Sequence, residues 1–182
     1  MRDGDLPVEA SRWRRLREKV WFRWTFDLLL ILIILFAVSL WQARHLLEGG
    51  EALPPMELIS LDGETLRLDE LDSRRTVVYL WATWCGACGL QKGAINSLHR
   101  RSGDNLQVIS VVFDSGDRET VRAFVEREGI EFPVYMGTPQ LSHALVVRSF
   151  PTTYIVDEDS RIRSGLVGYK TELGLRARLL LP

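Results

Sequence analysis

An apolar strand that runs directly into two closely spaced cysteines limits the folds open to this chain more than any other feature. Thr76–Ala82 is a continuous apolar and β-branched run, which predicts a buried central strand. Cys85 and Cys88 follow it at once, and they are the only two cysteines among 182 residues. The pair predicts a redox site more readily than a structural cross-link, because a disulfide that closes so short a loop adds little stability.

The pattern around this strand predicts an α/β fold, with a mixed central sheet flanked by helices on both faces. Asp62-Gly63 lies between two short strand patterns, so a β-hairpin is expected to extend the fold at its N-terminal side. A helix is predicted to start at the cysteines, with Leu90, Ala94 and Leu98 on one face. The remaining predicted elements are strands at Leu106–Phe113 and Phe132–Met136, helices at Asp117–Glu128 and Gln140–Val147, a strand pair at Thr153–Val156 and Ile162–Val167, and a last helix capped by Thr171.

A second apolar stretch, Phe22–Trp41, precedes this domain. Its twenty residues would form about 30 Å of helix, which matches the hydrocarbon thickness of a bilayer. Six Lys or Arg residues lie between Arg12 and Arg23, whereas Arg44 is the only basic residue soon after the stretch. The positive-inside bias therefore predicts one transmembrane helix with a cytoplasmic N-terminus. Two alternatives are a buried core helix and a signal peptide cleaved near Ala37-Val38-Ser39, and the latter would also export the domain.

These patterns divide the chain into four segments: a cytoplasmic basic N-terminus at 1–21, a transmembrane anchor at 22–41, a linker at 42–55 and the α/β domain at 56–182. The anchor makes the lipid bilayer an expected partner. Residues 54–182 carry fifteen Lys or Arg against seventeen Asp or Glu. This near balance leaves no basic surface for nucleic acid, so none is expected as a partner.

Three motifs resemble those of the thioredoxin superfamily. They are Trp81–Cys88 (WATWCGAC), Phe132–Val134 (FPV) and Phe150–Asp157 (FPTTYIVD), and Gly168 also fits. Within that superfamily the chain is similar to the membrane-anchored TlpA/ResA-like thiol–disulfide oxidoreductases of bacteria, and its Gly-Ala centre resembles the ScsD-like members. The resemblance implies a thioredoxin fold over about residues 54–182.

The position of the first cysteine also predicts its chemistry. Cys85 lies at a predicted helix N-terminus, where unpaired N–H groups and the helix dipole favour a thiolate. It is therefore the expected nucleophile, and the resemblance gives Cys88 the resolving role. The resemblance further implies that Pro151 is in the cis form opposite the pair and that Trp84, Phe150, Pro151 and Thr152 bind the client. From the residues alone, Pro151 could start an edge strand and Trp84 could be a core residue.

The expected function is that of a periplasmic oxidoreductase on the bacterial inner membrane that reduces client disulfides, without a cofactor. By resemblance, a membrane-bound donor such as a DsbD-like transporter would supply its electrons. The alternatives are a cytochrome c maturation reductase and a non-catalytic adaptor for a thiol or Cu(I) partner. A zinc site is not expected, because only His45, His99 and His143 remain as nitrogen ligands.

Three positions depart from the family pattern. Tyr79 stands where thioredoxins hold a buried acid, Gln91 where relatives often hold Glu, and Gly93 where they usually hold a proline. The usual proton acceptor for the buried thiol is therefore missing, and the alternatives are water, a backbone group or an acid from elsewhere such as Asp114. The redox direction depends on this missing group, so the sequence leaves it open.

Overall fold

The computed structural model describes residues 24–34, 37–38, 50–71, 73–114 and 116–180. The chain divides after Trp41 into two units. In the first unit, residues 24–34 and 37–38 are helical, and the large apolar side chains from Trp24 to Ile34 are exposed. Among the described residues, no helix combines the length and the apolar character needed to cross a bilayer. The predicted span at 22–41 lies partly outside those residues.

The second unit is built around a seven-stranded mixed sheet with the order β2-β1-β5-β4-β3-β6-β7. Its strands are β1 (Glu57–Ser60), β2 (Thr65–Arg67), β3 (Arg75–Trp81), β4 (Gln107–Val112), β5 (Val134–Met136), β6 (Thr152–Asp157) and β7 (Ile162–Val167). Its helices are α1 (Gly86–His99), α2 (Arg118–Glu128), α3 (Pro139–Ala144) and α4 (Glu172–Leu180). The predicted thioredoxin-like α/β fold with a mixed sheet is confirmed.

Strand β3 is an interior strand of the sheet, between β4 and β6, and its side chains enter two hydrophobic clusters. Val78 and Leu80 belong to one cluster, whereas Val77, Tyr79 and Trp81 belong to the other. All of these side chains are buried, as the strand period of two requires when both faces of a sheet are covered. β3 pairs in parallel with β4 and antiparallel with β6. The end of β3 therefore lies beside the end of β4 and the start of β6, which are distant in sequence.

The predicted hairpin is present and extends the sheet. β1 and β2 pair antiparallel, and Gly63 in the turn has a φ of 89°, which favours glycine. The hydroxyl of Ser60 accepts hydrogen bonds from the N–H groups of Asp62 and Glu64, which closes the turn. β1 then joins β5 antiparallel, so the hairpin is part of the central sheet.

Residues at the end of the predicted linker are packed rather than free. Ala52 forms an antiparallel bridge with Arg161, and Leu53 is only 2% exposed. The N–H of Leu53 donates to the carbonyl of Ser160 at 2.8 Å. The folded part of the second unit therefore starts before residue 56.

The packed face of α1 differs from the predicted one. Its buried residues are Cys88, Gln91, Ile95, Asn96 and Leu98. The prediction that Leu90 shares the inward face is wrong, because this side chain is 76% exposed. The helix is oriented by the buried Cys88, and Leu90, two residues later, points away from the sheet.

The other helices begin where the sequence predicts, but one of them ends early. Asp117 caps α2 through the N–H of Thr120, and Gly129 ends α2 in the left-handed conformation. The side chain of Thr171 accepts a hydrogen bond from Gly174 at the start of α4. The predicted helix at Gln140–Val147 stops at Ala144, because the chain turns at Val146, which has a φ of 50°.

Candidate active site

The two cysteines lie where the central strand passes into the first helix. Cys85 is the N-cap of α1, and the N–H of Cys88 donates to its Sγ at 3.2 Å. None of the first-turn residues of α1, a helix described in full, is acidic. The hydrogen bond from the N–H of Cys88 to Sγ and the positive end of the helix dipole both favour a thiolate on Cys85 in the reduced form.

Exposure separates the roles of the two sulfurs. The structure holds them as a disulfide, with 5.3 Å between the two Cα atoms. Cys85 is half-buried, whereas Cys88 is only 3% exposed. A molecule in solution can therefore reach the sulfur of Cys85 more readily than that of Cys88.

The loop before β6 faces the cysteine pair because of strand register. β6 runs antiparallel to β3, and Thr152 pairs with Leu80, close to the end of β3. The Phe150–Pro151 peptide bond, which directly precedes β6 at this end of the sheet, is cis. The N–H of Gly168, at a φ of 75°, donates to the carbonyl of Pro151 at 2.8 Å and ties the loop to the end of β7.

Three aromatic rings form a wall next to Cys85. The ring of Trp84 meets the ring of Phe150 edge-on at 5.6 Å between centroids, and the ring of Phe113 stacks on that of Phe150 at 5.7 Å. Trp84 is 71% exposed, so it is not a core residue. Phe150 is half-buried, and its contacts with both other rings limit the movement of its own ring beside the site.

Thr152, a predicted client-binding residue, is the first residue of β6. Its side chain is fully buried, and its hydroxyl donates to the carbonyl of Ser149 at 2.8 Å. The Thr152 side chain therefore holds the Ser149–Pro151 loop in shape, and only the backbone at this position remains for the predicted contact with a client.

Tyr79 and Gln91, two of the three positions that depart from the family pattern, both have hydrogen-bond partners. The hydroxyl of Tyr79 donates to the backbone carbonyl of Cys88 at 3.2 Å. Burial raises the pKa of Tyr79 well above its usual value, so the phenol stays neutral and cannot accept the Cys88 proton. The amide of Gln91 accepts from the N–H of Lys170 at 3.0 Å and donates to Thr153 at 3.4 Å.

Asp114, the candidate acid of the sequence analysis, has other hydrogen-bond partners. Its carboxylate accepts hydrogen bonds from the hydroxyl of Thr83 and from the N–H of Gly116. It is not among the residues that line the cavity beside Cys88.

That cavity has a volume of about 240 Å³ and is lined by both cysteines, Tyr79, Lys92 and Glu128, among others. Nζ of Lys92 lies 3.1 Å from a carboxylate oxygen of Glu128. The hydrogen bond from Lys92, with a further one from Arg127, lowers the pKa of Glu128, so the carboxylate is charged at neutral pH. The sequence analysis missed this pair. Lys92 could have been found by its spacing from Cys88, but Glu128 approaches only through the packing of α2 on α1.

Comparison with known proteins agrees with this geometry. The model of the AhpC/TSA family matches residues 50–164. Thioredoxin-like protein YneN of Bacillus subtilis (strain 168) is 29% identical over 164 residues, covering 86% of this chain and 96% of YneN. Thiol-disulfide oxidoreductase ResA of Bacillus thuringiensis (strain Al Hakam) is 25% identical over 165 residues, covering 86% of this chain and 95% of ResA.

A solved structure is similar over the folded domain. A protein of Chlorobium tepidum, assigned as the thiol:disulfide interchange protein DsbE, superposes with a TM-score of 0.65 at 22% identity. The match covers 73% of this chain and 99% of that chain. At this level of identity, the likeness shows the thioredoxin-like fold alone.

The predicted class of enzyme is confirmed, because relatives carry the name thiol–disulfide oxidoreductase and the Cys85–Cys88 pair lies at disulfide distance. The matched segment, residues 50–164, is more than half of the sequence. The chain therefore belongs to the AhpC/TSA family of thioredoxin-like proteins.

Proposed function

We propose that this protein is a membrane-tethered, extracytoplasmic thiol:disulfide oxidoreductase that reduces the disulfides of client proteins through Cys85 and Cys88. One observation carries the proposal: a half-buried Cys85 caps α1, with Cys88 buried one turn behind it and the Phe150–Pro151 loop at the same end of the sheet. This arrangement provides a nucleophile, a resolving thiol and a surface for the client.

The reaction begins with the dithiol form. The Cys85 thiolate attacks one sulfur of a client disulfide, forms a mixed disulfide and releases the other client sulfur as a thiolate, which takes up a proton. Cys88 then loses its proton and attacks Sγ of Cys85, and the second client sulfur leaves. The client gains two electrons and two protons, and the protein ends with the Cys85–Cys88 disulfide.

The aromatic wall is the proposed docking surface for the client segment next to its disulfide. Trp84 is exposed, and the ring of Phe150 contacts two other rings. Both can therefore contact an apolar side chain of the client without changing conformation. Pro151, with Phe150, forms the side of the site opposite Cys85. Rigid rings next to the backbone of the Phe150–Pro151 loop suit unfolded or extended client segments.

The proposed location rests on the N-terminal segment. Apolar side chains from Trp24 to Ile34 are exposed in a helical stretch, and basic residues dominate the chain before it. A bilayer would cover these side chains, and the basic flank favours the cytoplasmic side for the N-terminus. A separate dithiol donor must regenerate Cys85 and Cys88, since the chain has no other cysteine. We assign that role to a membrane-bound carrier of the DsbD-like kind.

Trapping tests this function and identifies the clients. Without the resolving thiol, a Cys88→Ser variant should accumulate mixed disulfides on Cys85 that are released by reducing agents. A Cys85→Ser variant is the matched control and should trap none, because its remaining thiol is buried. If neither variant, or both equally, accumulated adducts, Cys85 would not be the client-facing nucleophile.

The redox potential of the pair tests the direction. A reducing role requires a potential in the range of thioredoxin, about −270 mV, rather than that of DsbA, about −120 mV. Equilibration with glutathione buffers, read by alkylation of the free thiols, gives this value. A potential close to the DsbA value would make the protein an oxidant.

A further inference from the structure

The cavity behind the cysteine pair contains an ion pair that the reaction above does not use. Lys92 follows Cys88 by one helical turn on α1, so the two side chains share a helix face. Glu128, the last residue of α2, reaches it from the facing helix at 3.1 Å. The Lys92 side chain is 27% exposed and that of Glu128 is 34% exposed, so water screens them only in part.

The charges that face Cys88 can be named from each element around the cavity. The titratable residues of its lining are Tyr79 from β3, Cys85, Cys88 and Lys92 from α1 and its cap, and Glu128 from α2. Tyr79 is neutral and donates its proton to a backbone carbonyl. Among the described residues that line this cavity with Cys88, Lys92 and Glu128 are therefore the only charged ones.

The resolving step needs a thiolate in an unfavourable place. Cys88 is only 3% exposed, and burial raises the pKa of a thiol because it disfavours the charged form. A nearby cation offsets this cost and a nearby anion adds to it. The cavity has room for several water molecules, so water can take up the proton that leaves Cys88.

We propose that Lys92 stabilises the Cys88 thiolate across this cavity and that Glu128 holds the ammonium group in place while limiting its effect. The two residues thereby assist the ionisation of Cys88 from a different wall of the cavity, a role that Tyr79 does not fill because it replaces the buried acid of thioredoxins. The role rests on the proposed function, because Cys88 needs to become a thiolate only if it resolves a mixed disulfide.

The proposal predicts opposite effects from the two halves of one ion pair. In a Cys85→Ser background, Lys92→Gln should raise the apparent pKa of Cys88 by about one pH unit, since it removes the cation and leaves Glu128 unneutralised. Glu128→Gln should lower that pKa, and Lys92→Arg should leave it near the wild-type value. The ultraviolet absorbance of the thiolate, taken against a variant that lacks both cysteines, gives the titration without a reagent that must reach a buried sulfur.

The same change should appear in the rate of resolution. Thionitrobenzoate attached to Cys85 is released when Cys88 attacks, so its absorbance reports the resolving step in a single turnover. At neutral pH, a tenfold smaller thiolate fraction combined with the higher nucleophilicity of a more basic thiolate should slow Lys92→Gln by about threefold. Glu128→Gln should be unchanged or faster.

Matched controls come from a second ion pair outside the cavity. Arg100, which ends α1, pairs with Glu131 at 2.8 Å. Arg100→Gln and Glu131→Gln break a comparable link but should leave the pKa of Cys88 and the release rate unchanged. Thermal unfolding of all variants shows whether any of them has lost the fold. If Lys92→Gln does not fold, the direction of the Cys88 pKa shift in Glu128→Gln tests the proposal.

Two results would overturn the proposal. One is a Cys88 titration that does not respond to Lys92→Gln or Glu128→Gln. The other is a shift in the same direction for both variants, which is the pattern of a purely structural link. Either result leaves the proposed function intact as long as the wild-type protein still reduces a client. A wild-type protein that releases no thionitrobenzoate at any pH would instead contradict the resolving role of Cys88, and with it the proposed function.

Discussion

At the residue scale, Gly137 leaves space for the ring of Phe113 in the aromatic wall. A Cβ atom at this position would lie 2.6 Å from the ring of Phe113 and 2.9 Å from the carbonyl oxygen of Val112. Phe113 in turn stacks on Phe150, next to Pro151. The missing side chain therefore allows the ring arrangement that borders Cys85.

Gly137→Ala should destabilise the protein by about 1–3 kcal/mol, because the added methyl group overpacks a site bounded by backbone and an aromatic ring. It should also slow client reduction by shifting Phe113 and Phe150. Gly93→Ala is the control: it places a methyl group in the middle of α1 with no atom within 4 Å, and should stabilise by up to about 1 kcal/mol. Urea unfolding measures both, and a Gly137→Ala variant as stable as Gly93→Ala would contradict the packing described.

The sequence located the cysteine pair of the site but not its surroundings. Cys85 and Cys88 are identified by spacing alone, and Pro151 by its motif. Thr152 was assigned to the client surface because it adjoins Pro151, yet its side chain turns inward to Ser149. The Lys92–Glu128 pair joins two helices, and such a contact is fixed by tertiary packing rather than by local sequence.

At the scale of elements, caps were more predictable than packed faces. Asp117 and Gly129 bound α2 as the sequence indicates, because capping depends on the local chain. The inward face of α1 was misassigned at Leu90, since a helix with several small residues has no clear apolar stripe. The early end of α3 depends on the left-handed Val146, a conformation that its residue type does not suggest.

The cap of α2 should give the domain a measurable acid sensitivity. The N–H of Thr120 donates to Asp117 at 2.8 Å and lowers the pKa of its carboxyl group. A carboxylate whose folded pKa is depressed contributes stability above its unfolded pKa, about 3.9, and this contribution is lost as the pH falls through the folded value.

Asp117→Asn keeps a good cap but does not titrate, so it should be nearly as stable as wild type at neutral pH and lose less stability in acid. Asp117→Ala should already be less stable at neutral pH. Urea unfolding between neutral pH and about pH 3 compares the three proteins. Equal acid slopes for wild type and Asp117→Asn would show that the cap contributes nothing to the acid loss.

At the scale of the whole molecule, the order of motifs along the chain was enough to predict the sheet of the second unit. What it could not predict is how far the fold extends: residues Gly50–Leu53 bind the Ser160–Ile162 segment, although their composition suggests a linker. Glycine and proline content describes local stiffness only, and the contacts that hold this segment are more than a hundred residues away.

The proposed orientation can be tested with the native cysteines. In intact cells whose outer barrier is permeable to the reagent, a membrane-impermeant maleimide should label Cys85 of the full chain once the disulfide has been reduced. Cys85→Ser is the control and should not be labelled, because Cys88 is buried. Labelling of the wild type only after lysis would place the domain on the cytoplasmic side.

The most direct test of the central claim is the stoichiometry of a single reduction. Fully reduced full-length protein is mixed with excess insulin, and the free thiols of both partners are counted by alkylation and mass spectrometry. We predict one insulin disulfide reduced for each Cys85–Cys88 disulfide formed, and none with Cys85→Ser. A wild-type protein that reduces no more insulin than Cys85→Ser, with Cys85 unreactive to alkylation, would contradict the account.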